Sequence, residues 1–88
     1  KLVNERGKME RSEIVTTITE LAVELLGVDE SKVTEAARFK EDLDADSLDI
    51  VEFVMGMEEK FDVELPESEV EGVATVGQAV DLIVSKQG

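Results

Sequence analysis

The sequence contains neither cysteine nor histidine. Without a thiol, disulfides and thiolate-ligated zinc sites are excluded. Without an imidazole, no serine in this chain can belong to a Ser-His-Asp triad. The chain also lacks the run of about 20 apolar residues that would span a membrane, and no apolar segment follows its basic first residues as in a signal peptide. Because a serine without a histidine lacks its usual general base, no enzymatic activity is expected.

Basic residues are scarce, with 9 Lys and Arg against 22 Asp and Glu and a net charge of −13. Residues 1–11 hold four of these basic side chains, so the rest of the chain has 5 basic and 20 acidic residues. Binding to nucleic acid requires clusters of Lys and Arg and is therefore excluded. The acidic excess favours electrostatic steering toward basic surfaces of other proteins.

The apolar residues recur with the period of a helix, and no segment alternates convincingly as a strand would. The predicted helices cover residues 12–26, 47–61, 65–72 and 76–85. The sequence therefore predicts an all-α domain over residues 12–88, a small four-helix bundle with three longer helices and one short helix. Residues 1–11 are expected to be a disordered N-terminal extension or residues added by cloning, with Met9 as a candidate natural start.

Residues with capping preferences mark the predicted helix ends. Ser12 is expected to cap the first helix, and Gly27 is expected to stop it. Thr75 and Gln78 have the spacing of a capping box at the last helix. The long loop over 28–45 is expected to be pinned to the core by its apolar residues Val28, Val33, Phe39 and Leu43.

The segment 41–49 places one serine among five acidic residues at the start of the second helix. Asp46 is a good N-cap, so Ser47 takes the first helical position and Asp49 the third. Ser47 has no neighbouring Lys, and an unassisted serine is a poor nucleophile. From these residues alone, Ser47 is either an ordinary residue of a helix start or a point of attachment.

A calcium loop is the other reading of this segment. Asp42, Asp44 and Asp46 match positions 1, 3 and 5 of an EF-hand loop. Position 6 should be glycine and is Ser47, while position 12 should be a bidentate glutamate and is Phe53. An EF-hand is therefore not expected, and no metal site is predicted.

Three segments together resemble the acyl carrier proteins: LDADSLDIVEFVM over 43–55, EEKFDVELP over 58–66, and TVG over 75–77. The first resembles the segment to which the family's prosthetic group is attached. The resemblance covers residues 12–85 in the family's order of long helix, long loop, helix, short helix and helix. The departures are few: Gly56 where alanine is common, Lys60 in place of an acidic residue, and the added glycines Gly72 and Gly77.

The resemblance implies that a separate phosphopantetheinyl transferase attaches 4′-phosphopantetheine from coenzyme A to Ser47. Because this chain has no cysteine, the thiol that carries an acyl group must come from that cofactor. The protein would then hold growing acyl chains as thioesters and deliver them to fatty acid synthesis enzymes. We expect it to be a cytoplasmic monomer.

The resemblance also implies two surfaces. The first would dock on basic patches of partner enzymes and consists of Asp46, Leu48, Asp49, Val51, Glu52, Met55, Glu58, Glu59 and Asp62. Between residues 41 and 71 there are 13 acidic residues and one lysine, a repulsion that suggests selection for partner recognition. The second would shelter the acyl chain and is lined by Phe39, Val54, Met57, Leu65, Val70, Val73 and Ala79, which would also pack the core.

Two alternatives remain open on the sequence. One is a carrier of a polyketide or other thiotemplate pathway, although Asp46 before Ser47 and the acidic second helix favour the fatty acid type. The other belongs to a different class, a small acidic calcium-responsive adaptor without a prosthetic group. The absence of long Pro/Ser-rich linkers favours a discrete protein over a fragment of a larger synthase.

Overall fold

Three long helices and one single-turn helix form the fold in the computed structural model, which describes residues 10–87. The helices are α1 (Arg11–Leu26), α2 (Ser47–Phe61), α3 (Glu67–Val70) and α4 (Val76–Gln87), and a short 3₁₀ turn lies at Glu30–Lys32. Within this range there is no strand, only an isolated bridge between Arg38 and Thr75. The predicted all-α fold with three longer helices and one short helix is confirmed. None of the helices described has both the length and the apolar character needed to cross a membrane.

The start of α1 differs from the prediction. The backbone N–H of Glu10 donates to Oε1 of Glu13 at 3.0 Å, and the N–H of Glu13 donates to the carbonyl of Glu10 at 3.0 Å. Because Glu13 supplies this carboxylate, the helix begins at Arg11, and the predicted cap at Ser12 is wrong. Glu10 and Arg11 thus belong to the helix start, not to an extension; residues 1–9 of that predicted extension lie outside the described range.

The end of α1 and the start of α4 agree with their predicted signals. The short helix α3 is shorter than predicted, Glu67–Val70 in place of 65–72, because Pro66 is its N-cap and Glu71 its C-cap. Gly27 has φ of 69° and donates its N–H to the carbonyl of Val23 at 3.1 Å. The N–H of Gln78 donates to Oγ1 of Thr75 at 3.1 Å, and Oε1 of Gln78 accepts the N–H of Thr75 at 3.1 Å. The glycine stop and the capping box are therefore confirmed.

The core lies where α1 meets α2 and α4. Its fully buried side chains are Ile14, Ile18, Leu43, Val76, Val80 and Ile83. The long loop also contributes to it, because Phe39 and Leu43 are buried and Val28 and Val33 are half-buried. The rings of Phe39 and Phe53 pack at a centroid distance of 5.0 Å. The predicted pinning of the loop is confirmed.

A row of backbone hydrogen bonds joins the loop to the start of α4; we call it the seam. The N–H of Phe39 donates to the carbonyl of Ala74, that of Val76 to Ala37, and that of Gly77 to Glu35, at 3.0, 2.9 and 2.8 Å. A Cβ at Gly77 would lie 2.9 Å from the carbonyl oxygen of Glu35. Glycine is therefore required for this close approach of two backbones.

Arg11 supports the seam from α1. Its guanidinium donates to Asp81 on α4 and to Glu35 in the loop, both at 2.7 Å. These two hydrogen bonds raise the pKa of Arg11 above its ordinary value. All three side chains are well exposed, so the pairing fixes geometry more than it adds stability.

Gly56, in the interior of α2, leads to a first prediction. A Cβ there would lie 3.2 Å from Cδ2 of Leu21 and 3.5 Å from Cδ1 of Leu25, which are ends of flexible side chains. In a helix interior, alanine is more favourable than glycine by about 0.5–1 kcal/mol. We expect Gly56→Ala to raise the free energy of unfolding by about 0.5 kcal/mol, measured by urea denaturation.

Gly77→Ala is the matched control. Its new methyl group would meet the backbone oxygen of Glu35 rather than a movable side chain, so the same substitution should lower the free energy of unfolding. If Gly56→Ala also destabilised the protein, the packing of α2 against Leu21 would be tighter than described.

Candidate functional site

Ser47 is the first residue of α2, and the backbone around it is fixed by its neighbours. The N–H of Asp49 donates to Oδ1 of Asp46 at 2.9 Å, and the N–H of Asp46 donates to Oδ2 of Asp49 at 3.2 Å. This reciprocal pair is a capping box made of two aspartates. Neither hydrogen bond uses the hydroxyl of Ser47, and the residue is exposed. The predicted cap at Asp46 is confirmed, and Ser47 is left free.

The loop before Ser47 is anchored by buried side chains that alternate with exposed ones. Leu43 and Ala45 are buried, whereas Asp44 and Asp46 between and after them are exposed. The N–H of Ala45 donates to the carbonyl of Phe39 at 2.8 Å. Asp44 has φ of 57°, a left-handed conformation that aspartate tolerates better than most residues. The chain therefore reaches Ser47 along a defined path.

Two of the three aspartates of the supposed calcium loop have other partners. Oδ2 of Asp42 accepts the N–H of Arg38 at 2.8 Å and lies 3.6 Å from its Nε. Asp46 is engaged in the capping box with Asp49. Within residues 10–87, no group of three or more acidic side chains is arranged to hold a metal ion.

An apolar stripe runs along the outer face of α2. Leu48, Val51 and Met55 are 66, 53 and 60% exposed. Their spacing of three and four residues places them on one side of the helix. The residues predicted to dock partner enzymes flank this stripe: Asp46, Glu52, Glu59 and Asp62 are exposed, and Asp49 is half-buried. An exposed apolar stripe with an acidic border is a surface suited to protein contact.

Glu58 differs from the rest of the predicted docking surface. It is half-buried, and its Oε2 accepts the backbone N–H of Leu65 at 2.9 Å. Glu58 therefore connects α2 to the segment that enters α3. Sequence spacing placed Glu58 among the charges of α2 but gave no sign of this contact.

A groove of about 560 Å³ lies between α2 and α3 and is open to solvent. Its apolar walls are formed by Ile50, Val51, Val54, Met55, Leu65, Val70 and Val73. Its charged rim is formed by Lys40, Glu58, Glu67 and Glu71. The groove begins about one helical turn after Ser47, since Ile50 and Val51 follow Ser47 by three and four residues.

Behind this groove is an apolar cavity of only about 20 Å³. It is bounded by Phe39, Ile50, Phe53, Val54, Met57, Val70, Val73 and Leu82. Ile50, Val54, Val70 and Val73 bound both spaces, so these four side chains form the wall between them. The cavity is just large enough for one water-sized sphere, which needs about 10–15 Å³.

The predicted acyl pocket is partly assembled by the structure. Phe39, Val54, Met57, Val70 and Val73 bound the inner cavity, whereas Leu65 lies on the outer groove. Ala79 is fully buried but bounds neither space, because its small side chain is covered within the core. The sequence argument missed Ile50, Phe53 and Leu82. The spacing of Ile50, Phe53 and Met57 was the available signal for the first two.

The site suits a phosphate-linked group on Ser47. Ser47 is exposed at the N-terminus of a 15-residue helix, where the partial positive charge of the helix favours a phosphate. Asp46 and Asp49 oppose that phosphate by charge but hold the helix start in place. A long apolar groove one turn away offers space for what the group carries.

Comparisons with known proteins agree with this geometry. Residues 16–83 match the family model described as the phosphopantetheine attachment site. The acyl carrier protein of Rubrobacter xylanophilus is 52% identical over 79 residues, which cover 90% of this chain and 98% of that protein. The structure of the acyl carrier protein from Enterococcus faecalis superposes with a TM-score of 0.75 at 35% identity, covering 89% of this chain and 99% of the other.

A helical domain with this match is a carrier domain, a protein that holds 4′-phosphopantetheine by a covalent bond. The group is thus the cofactor of this chain. Among carrier domains, this chain is 52% identical to an acyl carrier protein over nearly the full length of that protein. The chain belongs to the acyl carrier proteins.

Proposed function

We propose that Ser47 is the residue to which 4′-phosphopantetheine is attached and that the protein carries acyl chains for fatty acid synthesis. The supporting observation is an exposed serine on a helix start whose cap is made by its neighbours. When bound, the group supplies a thiol on which acyl chains are held as thioesters. Intact-mass measurement after incubation with a phosphopantetheinyl transferase and coenzyme A tests the proposal.

This chain contributes placement and recognition rather than catalysis. Ser47 has no histidine or lysine beside it to remove its proton, so the transferase must provide the base. Asp46 and Asp49 fix the backbone from which the Ser47 hydroxyl projects. We therefore propose that the protein has no enzymatic activity of its own. We also propose, as the resemblance implies, that it acts in the cytoplasm as a monomer.

We propose that the acyl chain lies between α2 and α3. The open groove provides an apolar wall for its first part, and the inner cavity lies directly behind that wall. A cavity of about 20 Å³ cannot hold a chain without expanding. The wall residues are half-buried valines and isoleucine at the edge of the core, so a shift of α3 would join the two spaces.

The stripe of Leu48, Val51 and Met55 with its acidic border is the surface proposed to meet partner enzymes. Exposed ion pairs contribute little individually and are screened by salt. Docking through such charges is therefore expected to be fast, transient and sensitive to ionic strength. These properties suit a carrier that visits several enzymes in turn, including the transferase that loads it.

Charge reversal at Glu52 should weaken docking. Glu52 follows Val51 in the sequence, is exposed, and forms part of the acidic border of the stripe. With the loading transferase as partner, we expect Glu52→Lys to raise KM about three- to tenfold at low salt, with little change in kcat. The difference from wild type should shrink as ionic strength rises.

Glu20→Lys is the control for this experiment. Glu20 is exposed on α1 and its reversal changes the net charge by the same amount. It should affect KM much less than Glu52→Lys does. Equal effects of the two variants would mean that net charge, and not the surface on α2, governs docking.

A further inference from the structure

We propose that Glu58 is a positioning residue that holds α3 against α2 and so sets how well an acyl chain is sheltered in the groove. The inference rests on the proposed function, since it concerns the chain carried at Ser47. It assigns to Glu58 a role distinct from the docking role that its charge suggests.

The helix α3 is a single turn and has few polar links to the rest of the fold. Its own backbone hydrogen bonds are local, from Glu69 and Val70 to Pro66 and from Glu71 to Glu67. Among the described residues, two side-chain contacts tie α3 and the segment that leads into it to other helices. Oε2 of Glu58 accepts the N–H of Leu65 at 2.9 Å, and Nζ of Lys86 lies 2.7 Å from Oε1 of Glu69.

These two contacts come from different helices. Glu58 belongs to α2 and borders the open groove, whereas Lys86 belongs to α4. Val70 and Val73 separate the open groove from the inner cavity. A chain that enters the cavity by displacing Val70 and Val73 moves α3 away from α2, and this movement strains the contact between Glu58 on α2 and Leu65.

The hydrogen bond between Glu58 and Leu65 is strong enough to help hold α3 near α2. A carboxylate that accepts a backbone N–H forms a charge-assisted hydrogen bond, which is stronger than a neutral one. Leu65 is itself buried, so the hydrogen bond fixes an apolar anchor as well as a backbone position. Loss of the carboxylate would leave the N–H of Leu65 without this partner and free α3 to open more often.

Amide hydrogen exchange of the unmodified protein, measured by NMR, tests the contact directly. In Glu58→Met, we expect the exchange rate of the Leu65 amide to rise about tenfold, the size expected for one lost charge-assisted hydrogen bond. Glu58→Gln keeps an oxygen acceptor and should largely restore protection. Glu20→Met, at an exposed glutamate of α1 outside the docking surface and the groove, should leave the Leu65 rate unchanged. Protection that is the same in wild type and Glu58→Met would overturn the proposal.

The sheltering effect is tested on protein loaded with an octanoyl group through the transferase and octanoyl coenzyme A. If opening of α3 exposes the chain, cleavage of the thioester by hydroxylamine should also accelerate, by up to about tenfold, in Glu58→Met. Glu58→Gln and Glu20→Met should behave like wild type. A purely structural role would lower the global stability of Glu58→Met without this selective acceleration, and that result would also overturn the proposal.

Failure of the proposed function gives a different result. If Ser47 is not loaded, the intact mass shows it before any cleavage is measured, while exchange at Leu65 still reports on the contact. If loading succeeds but cleavage rates are equal in all variants, only the inference about Glu58 fails. Should Glu58→Met not fold, Glu58→Ser, whose side chain is too short to reach Leu65, replaces it in both measurements.

Discussion

Ser47→Ala should fold like the wild-type protein and gain no mass when incubated with a phosphopantetheinyl transferase and coenzyme A. Wild type under the same conditions should gain the mass of one phosphopantetheine per chain. The expected effect is a complete loss of loading, because the substitution removes the serine oxygen through which we propose that the cofactor is attached.

The fold should tolerate this change for a structural reason. The helix start is capped by Asp46 and Asp49, and the exposed Ser47 side chain takes no part in that capping box. Surface substitutions of this kind usually change stability by no more than about 0.5 kcal/mol. A circular dichroism melt should therefore separate a lost attachment point from a lost fold.

Ser68→Ala serves as the control. Ser68 is an exposed serine between Glu67 and Glu69 on α3, so it shares the acidic surroundings of Ser47 but not its long-helix start. It should be loaded like wild type. Modification of Ser47→Ala would show that the attachment point lies elsewhere.

Phe39→Ala should lose most of the stability of the domain. Phe39 is 6% exposed and packs against Phe53 at 5.0 Å between ring centroids. Replacing a buried phenylalanine by alanine costs about 3–5 kcal/mol. Proteins are stable by only about 5–15 kcal/mol, and small domains lie toward the lower end. Urea denaturation followed by circular dichroism should therefore show a midpoint close to the start of the titration.

Leu48→Ala is the matched control, since it also truncates an apolar side chain but at a site 66% exposed. It should change the free energy of unfolding by at most about 0.5 kcal/mol. Phe39 also bounds the inner cavity, so the variant removes a wall of the proposed acyl pocket along with core packing. A loss below about 1 kcal/mol would show that the ring is not held in the core as described.

The helices and the helix start at Ser47 could be predicted because their signals are local. Asp46 caps α2 through a residue three positions away, and Gly27 ends α1 through its own backbone. Even local signals compete, however. Ser12 was predicted to cap α1. Instead, the side chain of Glu13 accepts the backbone N–H of Glu10, and the helix begins at Arg11.

Features made by distant residues could not be predicted in the same way. Leu82 on α4 lines the inner cavity, whereas Ala79 on the same helix does not. The helical period predicts that both residues face the core, but it does not predict which of them lines the cavity. The contact between Glu58 and Leu65 depends on how the chain turns after α2. A charged residue in an acidic helix carries no pattern that marks it as half-buried.

The seam between the loop and α4 has a consequence for the order in which the protein folds. It joins residues 35–39 to residues 74–77, so its closure must enclose α2 and α3 and comes at an entropic cost that local helices do not incur. Phe39 donates its N–H to Ala74 and accepts the N–H of Ala45 just before α2. One residue of the seam thus also holds the loop that leads to Ser47. We therefore expect this loop to become fully ordered late in folding, when α4 docks and the seam closes.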